Sequence, residues 1–106
     1  MAIININGKG EFQSEVDKGG VQIVKFGAPW CAPCKIVDKT LEGIEEEIDV
    51  DILKVDVDIH GEIAGEFGIM SIPTIIFVKD KKVIDKLVGS QTKEKIFEIL
   101  KLVKGE

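Results

Sequence analysis

The sequence predicts an α/β fold: a central mixed five-stranded sheet flanked by four helices, in the order βαβαβαββα. Three observations predict it. Apolar runs of strand length alternate with stretches of helical period over the first two thirds of the chain. Each β-α-β step so formed implies parallel neighbours joined by a right-handed crossover. Near the end, two apolar runs are separated only by Lys79-Asp80-Lys81-Lys82, and a connection that short forces an antiparallel hairpin.

In chain order, Ile3, Ile4 and Ile6 predict a short first strand. Phe12 and Val16, four apart, share one face of a short helix that Gly19-Gly20 ends. Residues 21–26 are mostly apolar, as expected of a strand covered on both faces. A long helix follows over about residues 33–48, with Ile36, Val37, Leu41, Ile44 and Ile48 in helical period. Pro33 fits its first turn, where a missing N–H costs nothing. Gly43 costs about 1 kcal/mol relative to Ala inside it, and Glu45-Glu46-Glu47 reads as its solvated face. Residues 52–57 form the next strand. Residues 60–67 form a short helix, with Ile59, Ile63 and Phe67 on one side and Gly68 as its stop. Residues 74–78 and 83–88 are the hairpin strands, and Asp80-Lys81 at the tip must tolerate any residue at positive φ. The last helix spans residues 93–103, with Ile96, Phe97, Ile99, Leu100 and Val103 apolar and Thr92 or Ser90 as its cap.

A chain of 106 residues with 44% hydrophobic content is expected to form one domain, residues 1–106, around a single core. Its net charge of −5 argues against a nucleic-acid partner, which would need a basic face. All fourteen basic residues are lysine, so the bidentate recognition of phosphate or carboxylate that arginine offers is missing. No apolar run approaches the roughly 20 residues needed to span a bilayer. The first twenty residues show no secretory signal pattern. A cytoplasmic protein, away from membranes, is expected. In a reducing compartment a close cysteine pair points to catalysis or metal binding rather than to a structural crosslink.

That pair is Cys31 and Cys34, the only cysteines, within Trp30-Cys31-Ala32-Pro33-Cys34-Lys35. It sits where an apolar strand hands over to the long helix. A thiol at a helix N-terminus meets free backbone N–H groups and the positive end of the macrodipole. Both favour the thiolate, which is the reactive form. A two-residue spacing also lets both sulfurs meet within one helical turn. A zinc site needs about four ligands, and only His60 and carboxylates are on offer beside the pair. A site shared between two chains remains the less remote form of that alternative.

These residues, in this order, resemble the thioredoxin family over essentially the whole chain. The likeness rests on Ala28-Pro29-Trp30-Cys31-Ala32-Pro33-Cys34-Lys35, on Lys54-Val55-Asp56-Val57-Asp58, on Gly68-Ile69-Met70-Ser71-Ile72-Pro73-Thr74 and on Val88-Gly89. The resemblance implies the thioredoxin fold and a thiol–disulfide oxidoreductase that reduces disulfides in client proteins. It implies that Cys31 is an exposed nucleophile and Cys34 a buried resolving thiol. Pro73 would be cis and face the pair, with the backbone of Ile72 pairing to the client like a short added strand. Trp30, Ala32, Pro33, Ile72, Pro73, Val88 and Gly89 would form the client-docking surface. A thioredoxin reductase would supply electrons to a monomer that carries no cofactor and no metal. Two alternatives stand beside this reading: a binding module of the same fold, and a specialised redox partner with its own dedicated reductase.

Four positions depart from the family pattern. Lys25 stands where a buried aspartate usually assists proton transfer at the resolving cysteine. Burial would oppose its charged form. A charged Lys25 would favour the Cys34 thiolate, and a neutral one could accept its proton. Lys54 would then face a second cation, with Asp56 or Asp58 compensating. Lys25 could instead snorkel its ammonium to water. Ala32 replaces the usual glycine between the cysteines. Gly27 stands where an aromatic residue is common, which thins the wall beside the site. Lys39 replaces a helix-kinking proline, which predicts a straighter long helix. Asp58 reads as a helix cap or a proton relay, and His60 as an exposed residue near a helix start.

Overall fold

A computed structural model describes residues 2–105. Five strands, β1 (Ile3–Asn5), β2 (Val21–Gly27), β3 (Asp51–Asp56), β4 (Thr74–Lys79) and β5 (Lys82–Val88), form one sheet in the order β1-β3-β2-β4-β5. The first three run parallel. β4 is antiparallel to both β2 and β5. The helices are α1 (Lys9–Asp17), α2 (Ala32–Ile44), α3 (Gly61–Glu66) and α4 (Lys93–Lys104). Observed and predicted element orders agree. Among the described residues, no helix is long and apolar enough to cross a membrane.

Strand alternation divides the core in two. Ile23, Ile52, Ile75 and Phe77 point to one face and pack against Val37, Leu41 and Ile44 of α2 and Ile96, Leu100 and Val103 of α4. Val24, Phe26, Leu53, Val55 and Ile76 point to the other, against Phe12 and Val16 of α1 and Ile63 of α3. There the Phe67 ring meets Phe12 edge-on at 5.7 Å and Phe26 at 5.9 Å. β2 lies at the centre, paired on both sides. Hence Lys25, which shares a face with Ile23, points under α2 from the most enclosed strand of the sheet.

Two boundaries differ from expectation for physical reasons. α2 stops at Ile44 rather than near Ile48, and Glu45–Glu47 form a 3-10 turn. Ile48 is already extended, at φ −117° and ψ 155°. Ile48 and Val50 are both buried while Asp49 between them is exposed, so the chain here follows a two-residue period. α3 begins only at Gly61, after His60. Ile59 therefore precedes the helix and is 73% exposed instead of joining Ile63 and Phe67 inside.

The hairpin tip has the predicted strain. Asp80 and Lys81 both adopt positive φ, 49° and 74°. Asp80 is tied to the α1–β2 loop twice: its Oδ1 accepts from the Gly20 N–H at 2.8 Å, and its N–H donates to the Gly20 carbonyl at 2.9 Å. Thr92, not Ser90, caps α4, accepting from the Lys95 N–H at 3.1 Å. α2 runs through Lys39 without a break.

Candidate active site

The site begins where β2 ends and α2 starts. Cys31 is the N-cap of α2, and its Sγ accepts the Cys34 backbone N–H at 3.2 Å. Pro33 lies in the first turn, as predicted. A side-chain acceptor on a free helical N–H is the usual capping arrangement, here with sulfur in the place of oxygen. Cys31 and Cys34 are joined as a disulfide, with Cα atoms 5.2 Å apart.

The two sulfurs differ little in burial. Cys34 is fully enclosed and Cys31 is 5% exposed, so the expectation of an exposed Cys31 needs correcting. Ala28 packs with the pair, and Val57 and Ile72 close over it from the sides. Access is set by the rim: Trp30 is 69% exposed, and Ala32 and Pro33 are also exposed.

The Ile72–Pro73 bond is cis. The Thr74 hydroxyl donates to the Ser71 carbonyl at 2.7 Å, and the Gly89 N–H donates to the Pro73 carbonyl at 2.8 Å. These bonds hold the proline turn between the start of β4 and the end of β5. Val88 at that end is 55% exposed, and Gly89 takes φ 88°, in the left-handed region that favours glycine. Trp30, Ile72, Pro73, Val88 and Gly89 thus come from three separated stretches of chain. The Trp30 Nε1–H donates to Asp58 Oδ2 at 2.6 Å. The N-cap position of α3 is held by His60, so Asp58 is not its cap; its carboxylate accepts from the tryptophan instead. His60 is the N-cap residue of α3 but makes no side-chain cap bond, and it is partly buried.

Beneath Cys34 lies the largest correction. Lys25 is only 4% exposed, so it does not snorkel. Its Nζ lies 2.7 Å from Asp38 Oδ1, and Lys54 Nζ reaches the same oxygen at 3.4 Å. Lys25 and Lys54 are register partners on β2 and β3. The compensating charge is thus Asp38 from α2, not Asp56 or Asp58. Asp38 has one signal in the sequence: it lies four residues after Cys34 and so on the same helix face. Gly27 is the second surprise. A Cβ there would sit 2.5 Å from Lys25 Nζ, 2.8 Å from Lys25 Cε and 3.1 Å from Cys34 Sγ. The space spared by Gly27 is filled by the lysine head.

Among the described residues, no cluster of three or more His, Cys, Asp or Glu side chains is arranged to hold a metal ion. The arrangement can exchange a disulfide for two thiols at the start of α2, beside a charged group buried below.

The thioredoxin family model matches residues 3–102. A thioredoxin of Staphylococcus aureus is 43% identical over 102 residues, covering 94% of this chain and 96% of that protein. Among solved structures, the reduced thioredoxin pre-protein of Schistosoma mansoni superposes with a TM-score of 0.89 at 28% identity, covering 96% of this chain and 98% of the other. A thioredoxin of Nicotiana alata gives a TM-score of 0.86 at 30% identity, covering 93% and 90%.

Proposed function

We propose residue roles for a chain that belongs to the thioredoxin family and is a thiol–disulfide oxidoreductase. Cys31 is the attacking thiol and Cys34 the resolving one. The observation that carries this is the cap: Cys31 Sγ, at the N-cap of α2, receives the backbone N–H of Cys34 in the first turn. A charge-assisted hydrogen bond is stronger than a neutral one, so the cap favours thiolate at Cys31 over thiol.

In the reducing direction, the Cys31 thiolate attacks one sulfur of a client disulfide. The client S–S bond breaks, its other sulfur leaves and takes a proton, and a mixed disulfide remains. Cys34 then loses its proton and attacks Cys31 Sγ. The mixed disulfide breaks, the second client thiol leaves, and the Cys31–Cys34 disulfide is left behind. Two electrons have passed from the protein to the client. The second attack is intramolecular and so acts at high effective concentration. Lys25 is the charged group assisting the Cys34 step. Trp30, Ala32, Pro33, Ile72, Pro73, Val88 and Gly89 receive the client. Among the described residues, none hydrogen-bonds the Ile72 backbone, which leaves it free to pair with an extended segment.

The substrates are disulfide-containing proteins, and a reductase returns the electrons. We place this cycle in the cytoplasm, with the protein acting as a monomer on clients and a thioredoxin reductase as donor. The test is reduction of insulin disulfides by dithiothreitol, which the reduced protein should accelerate. Cys34→Ser should accumulate mixed disulfides through Cys31. Background-level insulin reduction with intact thiols, or adducts formed through Cys34 in a Cys31→Ser variant but not the reverse, would overturn the assignment.

A further inference from the structure

The sheet order gives the cysteine pair, which follows the central strand β2, two different flanks. Ile72, Val88 and Gly89 stand on the β4 and β5 side. On the β3 and β1 side lies an open groove of 620 Å³, whose lining includes Ala28, Pro29, Lys35, Lys54, Asp56 and Ile59. Ala28 and Pro29 lead directly into Trp30 and Cys31, so the groove adjoins the rim of the site. Ile59 sits in the turn between β3 and α3, and that turn is fixed. The Val57 N–H donates to the Gly27 carbonyl at 2.9 Å, the Asp58 N–H to Asp56 Oδ1 at 2.9 Å and the His60 N–H to the Asp56 carbonyl at 2.8 Å. The Asp58 carboxylate holds the Trp30 indole. Bonds on either side thus hold Ile59 outward, 73% exposed, although its spacing to Ile63 would have taken it inside.

The groove also runs against the charge of the chain. Three lysines line it, Lys25, Lys35 and Lys54, against Asp38 and Asp56, on a protein of net charge −5. Both carboxylates are engaged: Asp38 Oδ1 lies against Lys25 and Lys54, and Asp56 Oδ1 takes the Asp58 N–H. Lys35 is exposed, and none of the ion pairs among the described residues involves it. An apolar lip and an unmatched ammonium therefore stand side by side next to the cysteine pair.

We propose that this groove is a second docking subsite for client chains. It takes the flank of the client that passes Trp30: an apolar side chain seats against Pro29 and Ile59, and a neighbouring carboxylate pairs with Lys35. Continuity argues for a client segment as the occupant. A segment that pairs with the Ile72 backbone and crosses the cysteine pair leaves it on the groove side. Charge argues for an acidic one, and a lysine meets a carboxylate as a point charge without demanding a fixed geometry. Gly27 leaves the wall thin on this side, so the client's own side chain supplies the apolar cover. The subsite chooses among clients and takes no part in the exchange itself. It rests on the reading that Cys31 attacks disulfides of other proteins.

The test measures second-order rates of the reduced protein with symmetrical peptide disulfides, each divided by its rate with a small neutral aryl disulfide that cannot reach the groove. The peptides carry Leu-Glu, Leu-Gln or Ser-Gln beside the cysteine, on its N-terminal side in one set and its C-terminal side in the other. In one set only, Leu-Gln should react about tenfold faster than Ser-Gln, the low end of what an apolar contact contributes to discrimination. In the same set Leu-Glu should exceed Leu-Gln by about threefold, as for an exposed ion pair, and this second advantage should vanish in about 1 M salt. Ile59→Ser should remove most of the leucine advantage and Lys35→Gln the glutamate advantage. Both side chains are exposed, so neither change threatens the fold. Equal rates across the peptides, the same preference in both sets, or preferences that survive both substitutions overturn the proposal. So does a dimer in sedimentation that Ile59→Ser dissolves, which would give the groove to a second copy of this chain. A wild-type protein that fails to react with the aryl disulfide overturns the Cys31 assignment instead.

Discussion

Gly27→Ala is the sharpest test of how the buried charge is accommodated. The backbone there does not require glycine: unlike Gly19, Gly20, Gly68 and Gly89, Gly27 is not at positive φ. What alanine meets is matter, namely Lys25 Nζ at 2.5 Å, Lys25 Cε at 2.8 Å and Cys34 Sγ at 3.1 Å. A lysine head usually moves aside at little cost. This one is enclosed and held 2.7 Å from Asp38 Oδ1, and the sulfur behind it is fixed by the disulfide. Overpacking of a close-packed site costs about 1–3 kcal/mol. Against that, Gly→Ala returns about 0.4–1 kcal/mol through the unfolded chain where the backbone allows it. The net expectation is a loss of about 1–2 kcal/mol, or about 1 M in urea midpoint at a slope of about 1–3 kcal/mol per M. In a Lys25→Ala background the two closest contacts are gone and only Cys34 Sγ at 3.1 Å remains, so the same substitution should cost clearly less. Urea unfolding of the four oxidised proteins closes a double-mutant cycle, with a coupling of at least about 1 kcal/mol expected for residues in contact. Equal costs in the two backgrounds would refute the claim that Gly27 exists to admit Lys25.

Two further outcomes concern the periphery. Lys81→Gly replaces a residue at φ 74° and puts glycine directly after Asp80, a favoured pair for such a turn. Left-handed backbone costs L-residues roughly 1–2 kcal/mol, so a gain of up to about 1 kcal/mol in thermal or urea unfolding is expected. The exposed Lys81–Asp17 contact at 4.0 Å is too weak to offset it; a destabilised variant would contradict this account of the tip. The hydrogen bond and charge of Lys104 hold the Asp49 carboxyl below its usual 3.8. A lowered folded value stabilises above the unfolded one and stops doing so as pH falls through the folded one. The melting-temperature difference between wild type and Asp49→Asn should therefore be largest near neutrality and vanish in strong acid. A difference independent of pH would assign the effect to something other than ionisation.

The element order was legible because each strand run and helix period agreed with its turn signals, as in Gly19-Gly20 before β2 and Lys79–Lys82 between β4 and β5. Errors arose where one residue served two periods. Ile48 fits the helical series of α2, but it also alternates with Val50, and burying both favoured extended chain. Ile59 fits the series of Ile63 and Phe67 in the same misleading way. At the site, the cysteine pair, the proline turn and Val88-Gly89 could be read because their chemistry is written in residue type. The supporting charge was not. Lys25 announced itself as an anomaly, but its partner is ordinary on a helix surface and becomes significant only once β2 lies beneath α2. Gly27 is only an absence in the sequence, and packing alone shows what fills it.

The sulfur that caps α2 gives the molecule an internal reporter. The Cys34 backbone N–H donates to Cys31 Sγ in the oxidised protein, and the same proton faces a far stronger acceptor whenever that sulfur carries charge. Its NMR resonance should therefore follow the ionisation of Cys31 and its passage through mixed disulfides, one signal for each covalent state. The reactive atom and the first hydrogen bond of the helix cannot be separated, so the chemistry of each turnover is written into a single amide that needs no added label to be followed.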